Sequence, residues 1–544
     1  MNHENAGKLP LEKDLISVES LLSAYESQKP DANNPAEQVA FGTSGHRGSA
    51  FTCSFNENHI LAMTQAICAY RKTQQIDGPV FLGFDTHALS FGAFRSALEV
   101  LAANGIEVLI AKGHEFTPTP VLSHAIISYN LQRTSHFSDG IIITPSHNPP
   151  ADGGFKYNPP HGGPAEKEIT DFIQNLANDY LKANLKDVKK MPFEHAMKQS
   201  SVHEYDFVTP YVSDLKNILD FDIIRSSRLK LAVDPMGGAG VHYWQKIAEH
   251  YQFDLKIVNT TVDPTFKFMT CDWDGKIRMD PSSPFVMQSL IQKIGNHDLA
   301  FGCDTDHDRH GIVTKQGLVP PNHYLAVMIH YLYLNRPHWK SDLKIGKTIV
   351  SSSIINRVAR ELSREVFEVP VGFKWFVEGL SNETLGFAGE ESAGATFARL
   401  DGKLWTTDKD GIIAALLSAE ITARSGKDPS EYYQNLSERL GKPAYRRVDE
   451  RASAQKRDQI KKITGKDICS KELAGEPIQT LLTQAPGNHA EIGGLKVESE
   501  NAWFAVRPSG TEDIYKIYAE SFKGEAHLAE VLKQAKKTVD DFTN

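Results

Sequence analysis

Apolar runs typical of strands alternate with segments of helical spacing in three successive parts of the chain, and this rhythm constrains the fold most. It runs through residues 80–144, returns at 230–303 and returns again at 348–424. Strands that alternate with helices form mixed α/β layers with helices on both faces of the sheet. We therefore expect three related α/β units in succession, although their residues are hardly repeated. Open α/β sheets bind ligands where strands end, so the polar segments after strands are the candidate sites.

The apolar pattern also gives approximate bounds for the elements of the three units. Strands are predicted at 80–85, 106–111, 140–144, 230–235, 254–258, 299–303, 348–352 and 385–388. Helices are predicted at 90–104, 118–129, 240–251, 284–294, 358–362 and 411–424. The glycine at 105 is a typical residue for the end of the first of these helices.

The C-terminal part of the chain breaks this rhythm. A charged segment of helical spacing at 450–462 precedes a loop-rich stretch, strands at 502–506 and 515–519, and a closing helix at 525–541. Such an arrangement is typical of an α+β domain. Because 544 residues are too many for one core, we predict a polar, partly helical leader, three α/β domains and a smaller α+β domain. Their predicted bounds are 1–39, 40–205, 206–325, 326–440 and 441–544.

Composition argues against several classes of protein. A net charge of −9 disfavours a nucleic-acid-binding surface. No apolar run approaches the ~18 residues of a membrane-spanning helix, and the polar N-terminus has no signal segment. The five cysteines are scattered without a C-x-x-C pair, which fits reduced thiols and no structural zinc. We expect a cytoplasmic protein with neither nucleic-acid nor membrane partners; nothing in the sequence indicates an oligomeric state.

The first candidate site follows the predicted strand 140–144. Pro145 breaks the chain sharply and presents Ser146 and His147 before the sequence Asn-Pro-Pro. A serine at the tip of a buried strand, beside a histidine, is placed to be a nucleophile. Taken alone, the stretch fits a proline-rich turn whose serine only hydrogen-bonds its own loop.

A glycine-rich segment lies earlier in the chain, at residues 41–48. Its sequence, Phe-Gly-Thr-Ser-Gly-His-Arg-Gly, can bring backbone close to an anion. It lacks the Gly-x4-Gly-Lys-Ser/Thr pattern of a Walker loop. By itself the segment is more simply interpreted as a flexible turn.

Three carboxylates follow the predicted strand that ends at Cys303. Asp304, Asp306 and Asp308 alternate, which puts them on the same side of an extended segment. Three like charges so close are unfavourable unless a cation lies among them. The loop is not an EF-hand, because Lys315 replaces the glutamate of its twelfth position. Oxygen ligands in a short loop suit Mg²⁺ with a phosphoryl oxygen completing its shell, while a solvated acidic turn is the alternative.

Small and acidic residues at 389–394 form a third candidate loop. Its small residues leave room for a ligand, and Glu390 and Ser392, two positions apart, could hold adjacent sugar hydroxyls from one side. This pattern is weak on its own, and a solvated turn explains it more simply.

The fourth candidate loop spans residues 507–512. Arg507 offers a bidentate fork, and Ser509, Thr511 and the amides around Gly510 can form a nest for a phosphate. Alone, a type I or II turn would account for this loop about as well.

Together the four loops describe phosphoryl transfer on a phosphosugar. The ordered set resembles the α-D-phosphohexomutase superfamily, and within it the bacterial phosphoglucomutases, over nearly the whole chain. The resemblance includes the motifs at residues 42–47, 144–149, 234–240 and 409–411. It implies three related mixed α/β domains and a smaller α+β domain around a central cleft. It also implies interconversion of α-D-glucose 1-phosphate and glucose 6-phosphate, through a phosphoserine and a glucose 1,6-bisphosphate intermediate, with one Mg²⁺ per active site.

The resemblance carries over to individual residues. It implies that Ser146 is the phosphoserine and that one of its oxygens binds Mg²⁺ together with the three aspartates of the second loop. Arg47 and Lys156 match the catalytic cations of the family. The residues that it implies in binding the phosphosugar substrate are Gly372, Lys374, Glu390, Ser392, Lys409, Arg507, Ser509, Gly510 and Thr511.

Two departures from the family pattern leave alternatives open. Pro145 stands where many members have alanine, and Ala393 to Ala395 stand where phosphomannomutase-type relatives have a histidine. The general acid/base is therefore open, with Lys156 first and His147 second; the alternative role of His147 is to orient the loop. Mannose or glucosamine specificity is the close alternative function. A catalytically silent phosphosugar-binding protein is a further one, which the intact serine and aspartates argue against.

Overall fold

The computed structural model describes residues 3–42, 45–467, 470–509 and 513–543. The chain divides into two compact units. Unit 1 comprises residues 1–320 and 392–428, and unit 2 comprises 321–391 and 429–544. Over the described ranges, no helix combines the length and the apolar character needed to cross a membrane.

A seven-stranded sheet is the first α/β layer of unit 1. Its strands are β1 (Phe41–Gly42), β2 (Gly45–Ser49), β3 (Val80–Phe84), β4 (Val108–Ala111), β5 (Asp139–Ile143), β6 (Asp152–Asn158) and β7 (Val202–Tyr205). They lie in the order β1-β2-β6-β5-β3-β4-β7. The four strands from β5 to β7 are parallel, while β6 returns antiparallel to β5. All residues of β3 and β5 are buried, as the apolar runs predicted.

A five-stranded sheet is the second layer of unit 1. Its strands are β8 (Leu231–Asp234), β9 (Leu255–Ile257), β10 (Leu299–Cys303), β11 (His310–Thr314) and β12 (Gly317–Leu318). They lie in the order β12-β11-β10-β8-β9, with β8 parallel to β9 and β10. Strand β11 is antiparallel to β10, so the chain reverses direction over residues 304–309. This reversal contains the three aspartates.

Eleven helices of unit 1 are described, numbered here through the whole chain. They are α1 (Val18–Ser27), α2 (Glu57–Thr73), α3 (Ala88–Ala103), α4 (Thr119–Asn130), α5 (Lys167–Lys182), α6 (Phe193–Ala196), α7 (Val208–Asp214), α8 (Phe221–Ser227), α9 (Tyr243–Tyr251), α10 (Gln288–Lys293) and, from the later segment, α14 (Gly411–Ser425). Helix α10 is shorter than the predicted helix at 284–294. The carbonyls of Phe285 and Val286 accept hydrogen bonds from the Thr270 hydroxyl, and residues 284–287 form turns.

The predicted leader carries helix α1, which packs onto the core of the first sheet. Ser17 caps this helix by accepting a hydrogen bond from the amide of Ser20. Leu21 and Tyr25 are buried, and the Tyr25 hydroxyl lies 2.9 Å from that of Ser96 on α3. The leader is therefore part of the first core.

The third α/β layer lies largely in unit 2. Its described elements there are strands β13 (Lys344–Thr348), β14 (Val366–Val369) and β15 (Leu385–Glu390) and helices α11 (Pro321–Asn335), α12 (Ile354–Glu361), α13 (Val377–Ser381) and α15 (Pro429–Leu440). Strand β13 pairs in parallel with β14 and β15. The prediction of a strand at 348–352 was wrong, because β13 ends at Thr348. A lysine at position 347 is typical of an exposed position. The ammonium group of Lys347 is nevertheless buried, beside Glu368 and Asn356.

An antiparallel sheet forms the C-terminal part of unit 2. Its strands are β17 (Ala444–Arg451), β20 (Thr480–Gln484), β21 (Glu491–Glu498), β22 (Ala502–Pro508) and β23 (Ile514–Ser521), in the order β17-β23-β22-β21-β20. The hairpin β18 (Glu472–Leu473) and β19 (Glu476–Pro477) and helices α16 (Ala454–Ile460) and α17 (Glu525–Thr543) complete it. The helix predicted at 450–462 is shorter, because residues 444–451 form an edge strand on β23. The loop-rich middle contains β20 and β21.

Candidate active site

The Ser146 loop is a tight turn at the end of β5. The amide of Ser146 donates to Oγ1 of Thr144 over 2.8 Å, and Ser146 has a φ of +59°. The left-handed region is unfavourable for a residue that carries a Cβ. Gly154 of β6 packs directly against this turn. A Cβ at position 154 would lie 2.0 Å from the carbonyl oxygen of Thr144, so only glycine fits there. Ser146 is therefore held in one conformation by close packing.

The three aspartates lie in the reversal between β10 and β11. The pairing of Cys303 with His310 forces this segment to turn, so our expectation of an extended segment was wrong. The carboxylates converge nevertheless, since His307 takes the left-handed φ of +58° and its ring accepts a hydrogen bond from Trp244. Ligand oxygens of Asp304, Asp306 and Asp308 all lie within 4.8 Å of one another.

The chemistry of this triad fits a divalent cation. All three carboxylates are buried, and within the described residues Oδ1 of Asp306 and Oδ1 of Asp308 have no hydrogen-bond partner. Burial and the neighbouring carboxylates raise the pKa of Asp304 well above its usual range. A cluster of this kind is unfavourable in itself and becomes favourable around a hard cation, for which carboxylate oxygens are the preferred ligands.

The serine and the triad meet directly. The Ser146 hydroxyl donates a hydrogen bond of 2.6 Å to Oδ2 of Asp304. The Thr305 hydroxyl donates to the carbonyl of Ser146, which ties the backbones of the two loops together. Nδ1 of His147 lies 3.4 Å from the Ser146 hydroxyl. A serine hydroxyl, a cluster of carboxylates and an imidazole thus share one location in unit 1.

Two lysines compensate the negative charge of the triad. The ammonium group of Lys156 lies 2.7 Å from Asp306 and 3.3 Å from Asp308, and that of Lys409 lies 3.2 Å from Asp308. Burial opposes the charge of Lys156, but the two carboxylates outweigh it and raise the pKa of this lysine. Burial likewise disfavours the Asp308 carboxylate, and Lys409 and Lys156 lower its pKa. Lys156 is therefore charged at neutral pH.

Arg47 and His147 flank the serine. Arg47 on β2 donates to the side-chain oxygen of Asn148 over 2.9 Å, so it lies beside the serine loop. Burial and the charge of Arg309 lower the pKa of His147 well below its usual value. The ring of His147 is therefore neutral at physiological pH, in contrast to the charged Lys156.

Two residues near the triad were not selected from the sequence. The Thr119 hydroxyl, at the start of α4, donates to Oδ2 of Asp306 over 2.7 Å. The amide of Arg309 donates to Oδ1 of Asp304, and its guanidinium lies 3.8 Å from Asp308. Arg309 follows Asp308 directly in the sequence, so it could have been selected as a candidate site residue. Thr119 has no comparable signal, because it comes from a different sheet layer.

Unit 2 carries most of the residues predicted to bind the sugar. The amide of Gly372, which has a φ of +127°, donates to Oε1 of Glu390 over 3.0 Å. Glu390 is buried at the end of β15. The ammonium group of Lys374 lies 5.3 Å from the centre of the Trp375 ring. Ser392 belongs to unit 1, where it begins the segment that carries Lys409.

The predicted phosphate loop is described only in part. Arg507 lies on β22, and its Nε is buried without a hydrogen-bond partner in the portions of the chain that are described. Ser509 is buried, and its amide donates to the Ile514 carbonyl over 2.9 Å. Gly510 and Thr511 lie outside the described residues.

Family models and relatives agree along the whole chain. Four models of phosphoglucomutase/phosphomannomutase match: α/β/α domain I over residues 38–184, domain II over 209–317, domain III over 320–440 and the C-terminal domain over 445–537. A phosphoglucomutase of Komagataeibacter xylinus is 55% identical over 536 residues, which is 98% of this chain and 96% of the relative. Phosphoglucomutase 1 of Drosophila melanogaster is 26% identical over 95% of this chain and 94% of the relative.

Solved structures share the fold. Parafusin of Paramecium, an exocytosis-sensitive phosphoprotein described as a phosphoglucomutase, superposes with a TM-score of 0.75 at 21% identity, over 94% of this chain and 96% of that one. A phosphoglucomutase/phosphomannomutase family protein of Burkholderia thailandensis has a TM-score of 0.70 at 20% identity, over 92% and 98%. These likenesses agree with the predicted class of three α/β domains followed by a C-terminal α+β domain.

Proposed function

Since the chain belongs to the phosphoglucomutase/phosphomannomutase family, we propose that it interconverts α-D-glucose 1-phosphate and glucose 6-phosphate. Ser146 carries the phosphoryl group, and glucose 1,6-bisphosphate is the bound intermediate. One observation supports this most: the Ser146 hydroxyl is hydrogen-bonded to a buried triad of carboxylates. A protein that only binds phosphosugars needs no such nucleophile. The name of the 55% identical relative favours glucose over other sugars.

The reaction has two transfers through Ser146. In the first, the phosphoryl group leaves the serine oxygen for a sugar hydroxyl; the hydroxyl loses its proton and the serine oxygen gains one. In the second, the other phosphoryl group of the bisphosphate moves to the serine oxygen; the serine hydroxyl loses its proton and the sugar oxygen left behind gains one. Such transfers depend on positioning and on charge stabilisation more than on covalent chemistry by the protein.

Cations have to offset a large negative charge. A phosphoserine carries about −1.5 to −2 charges at neutral pH, and it lies beside three carboxylates. Lys156 and Lys409 neutralise part of this charge at Asp306 and Asp308, while Arg47 is hydrogen-bonded to Asn148 of the serine loop. We propose that these three cations allow a second phosphate to approach Ser146.

The residues that would hold a metal ion are Asp304, Asp306 and Asp308, with an oxygen on Ser146 as a further ligand. We propose Mg²⁺, because the donors are carboxylate oxygens without nitrogen or sulfur. When bound, the ion supplies positive charge next to the phosphoryl group. The unpartnered oxygens of Asp306 and Asp308 support this assignment.

Lys156 is our first choice for proton exchange and His147 the second. Since its pKa is raised, Lys156 is protonated before the reaction and starts as a general acid. His147 starts neutral, with Nδ1 3.4 Å from the serine hydroxyl, where it either accepts a proton or only orients the loop. The two roles differ in how much activity a substitution should remove.

Substrate binding has to accept two orientations, since both ends of the bisphosphate react at Ser146. We propose that Gly372, Lys374, Glu390, Ser392 and Lys409 bind the sugar. The hydrogen bond between Gly372 and Glu390 supports a common role for that pair. We further propose that Arg507, Ser509, Gly510 and Thr511 hold the phosphate that is not reacting. A cytoplasmic location is also a proposal and rests on the sparse, scattered cysteines.

Two measurements test the function together. Wild type should convert glucose 1-phosphate to glucose 6-phosphate in an assay coupled to a dehydrogenase, and faster than it converts mannose or glucosamine 1-phosphate. After incubation with glucose 1,6-bisphosphate, its intact mass should include one additional phosphoryl group. Ser146→Ala should lack both properties, while the control Ser135→Ala, at an exposed serine, should keep both. An unmodified and inactive wild type would refute the proposal.

A further inference from the structure

A buried ion pair lies directly beneath the serine loop. Asp85 follows β3 and His87 precedes α3; they are 1% and 3% exposed, respectively. Nδ1 of His87 lies 2.9 Å from Oδ2 of Asp85. Because β3 pairs with β5, the amide of Asp85 donates to the carbonyl of Ile143, the last residue before the loop. The ion pair is therefore adjacent to the nucleophile, although no motif in the sequence marked it.

Asp85 holds the first end of the loop. Its Oδ2 accepts a hydrogen bond of 2.7 Å from the Thr144 hydroxyl, and the oxygen of that hydroxyl accepts the 2.8 Å hydrogen bond from the amide of Ser146. A carboxylate, a hydroxyl and a backbone amide thus form one chain that ends at the nucleophile. This chain stabilises the left-handed backbone of Ser146, which is unfavourable for a residue that carries a Cβ.

His87 holds the second end of the loop. Its Nε2 lies 3.0 Å from the carbonyl oxygen of Asn148. A carbonyl and a carboxylate can only accept hydrogen bonds, so both ring nitrogens of His87 have to donate and the ring is an imidazolium. The groups around it agree: besides Asp85, the charge of Asp152 favours the protonated ring, and the ring of Phe266 packs at 5.0 Å.

A buried ion pair is a poor source of stability, since desolvation cancels most of its attraction. Its value here is geometric, because it fixes both ends of a five-residue turn from one point. Asn148 also holds Arg47, because the Arg47 guanidinium donates a hydrogen bond to the side-chain oxygen of Asn148. The ion pair therefore sets the position of the nucleophile and of one of its cations at once.

We propose that Asp85 and His87 are positioning residues for phosphoryl transfer, clamping Thr144 and Asn148 so that the Ser146 hydroxyl stays aimed at Asp304. The kinetic consequence rests on the function proposed above, whereas the clamp itself is a statement about geometry. Neither residue touches the substrate in this assignment, so both should govern the rate of transfer more than the binding of sugar.

His87→Gln and Asp85→Asn test the clamp. Each leaves one neutral side chain where the pair needs a charge, so the single-turnover rate of Ser146 phosphorylation by glucose 1,6-bisphosphate should fall by about 10²-fold, with KM changed less than about threefold. His87→Arg should recover most of the rate, because a guanidinium keeps the charge and can donate to both acceptors. The matched control is His124→Gln, which breaks another histidine–aspartate pair of unit 1, between the buried His124 and the half-buried Asp214, and should keep the wild-type rate.

Wild-type single-turnover rates in His87→Gln and Asp85→Asn would overturn the proposal. A rate in His87→Arg that does not exceed the rate in His87→Gln would also overturn it. A second measurement covers variants that do not fold. In wild type labelled with ¹⁵N-histidine, and assigned with His87→Arg, both ring nitrogens of His87 should show the imidazolium shift at about pH 8, where free histidine is neutral. A neutral ring would overturn the clamp. This NMR signal does not require turnover. An inactive wild type would therefore refute the proposed function, while the NMR signal would still decide whether the clamp exists.

Discussion

The hydroxyl of Ser146 lies 2.6 Å from Oδ2 of Asp304, although the two residues are 158 positions apart. One follows the central strand β5 of the seven-stranded sheet, and the other follows β10 of the five-stranded sheet. The contact is therefore made by two separate α/β layers of unit 1. Any substitution that moves either loop should affect the Ser146 hydroxyl and the aspartate triad together.

Removal of divalent cations should abolish turnover, and Mg²⁺ should restore it, because Lys156 and Lys409 offset only part of the charge of the buried triad. Asp306→Asn should weaken Mg²⁺ binding by at least about 10-fold, since it removes one charged ligand. The measurement is activity as a function of free Mg²⁺. Asp263→Asn, at a carboxylate outside the triad, is the control. Activity that is indifferent to EDTA would contradict the metal assignment.

Lys156→Met should lower kcat by about 10²- to 10⁴-fold, the usual effect of losing a general acid. Mg²⁺ affinity should not fall, because Asp306 and Asp308 lose a competing cation. Steady-state kinetics with a Mg²⁺ titration measures both quantities, and Lys182→Met on the exposed face of α5 is the control. His147→Gln should cost less than about 10-fold if that ring only orients the loop. The reverse order of effects would make His147 the proton carrier.

Arg507→Ala should reduce kcat/KM by about 10- to 1000-fold, as expected when a charged contact to phosphate is lost. Arg507→Lys should recover only part of it, because an ammonium group lacks the bidentate fork. Arg451→Ala, on strand β17 of the same sheet, should leave kcat/KM unchanged. A near-wild-type Arg507→Ala would remove this residue from the phosphate site.

Asp234→Asn should stabilise the protein above about pH 6 by about 1–3 kcal/mol. Burial raises the pKa of Asp234 to about 6, and an unfolded aspartate titrates near about 3.9. The folded state therefore binds more protons between these values, and stability falls as the pH rises through them. The substitution keeps an acceptor for the Met236 amide, because the side-chain oxygen of asparagine can accept the hydrogen bond that Oδ1 of Asp234 accepts.

Urea unfolding of wild type and Asp234→Asn from about pH 4 to about pH 8 measures this effect. The two curves should diverge with rising pH and stay parallel beyond about pH 7. A constant difference across the range would show that the charge of Asp234 is not the cause.

The elements with continuous apolar runs were predictable because burial on both faces leaves a clear pattern. Strand β10 lies at the predicted residues, and β5 differs by one residue at each end. Two of the strands that were misplaced or missed carry charge: β13 contains the buried Lys347, and β17 is rich in charged residues along an edge. A charge that is neutralised by a partner far along the chain cannot be distinguished locally from an exposed one. The predicted domain bounds stay a prediction.

The site was predictable where its chemistry is concentrated in one short segment. Asp304, Asp306 and Asp308 converge as expected, although through a turn and not an extended strand. Thr119 and the pair Asp85–His87 could not be found this way, because each acts through a contact between segments that only the fold brings together. The roles of the sugar and phosphate residues remain proposals.

Unit 1 is discontinuous in sequence: it contains residues 392–428, which follow residues 321–391 of unit 2. Helix α14 of this segment packs on α8, β10 and β11, and Asp410 at its start accepts hydrogen bonds from Tyr211 and Trp405. Domains generally fold as units during synthesis. On the ribosome, however, unit 1 cannot complete its core until residue 428 has emerged. Its earlier part therefore stays incomplete while residues 321–391 are translated.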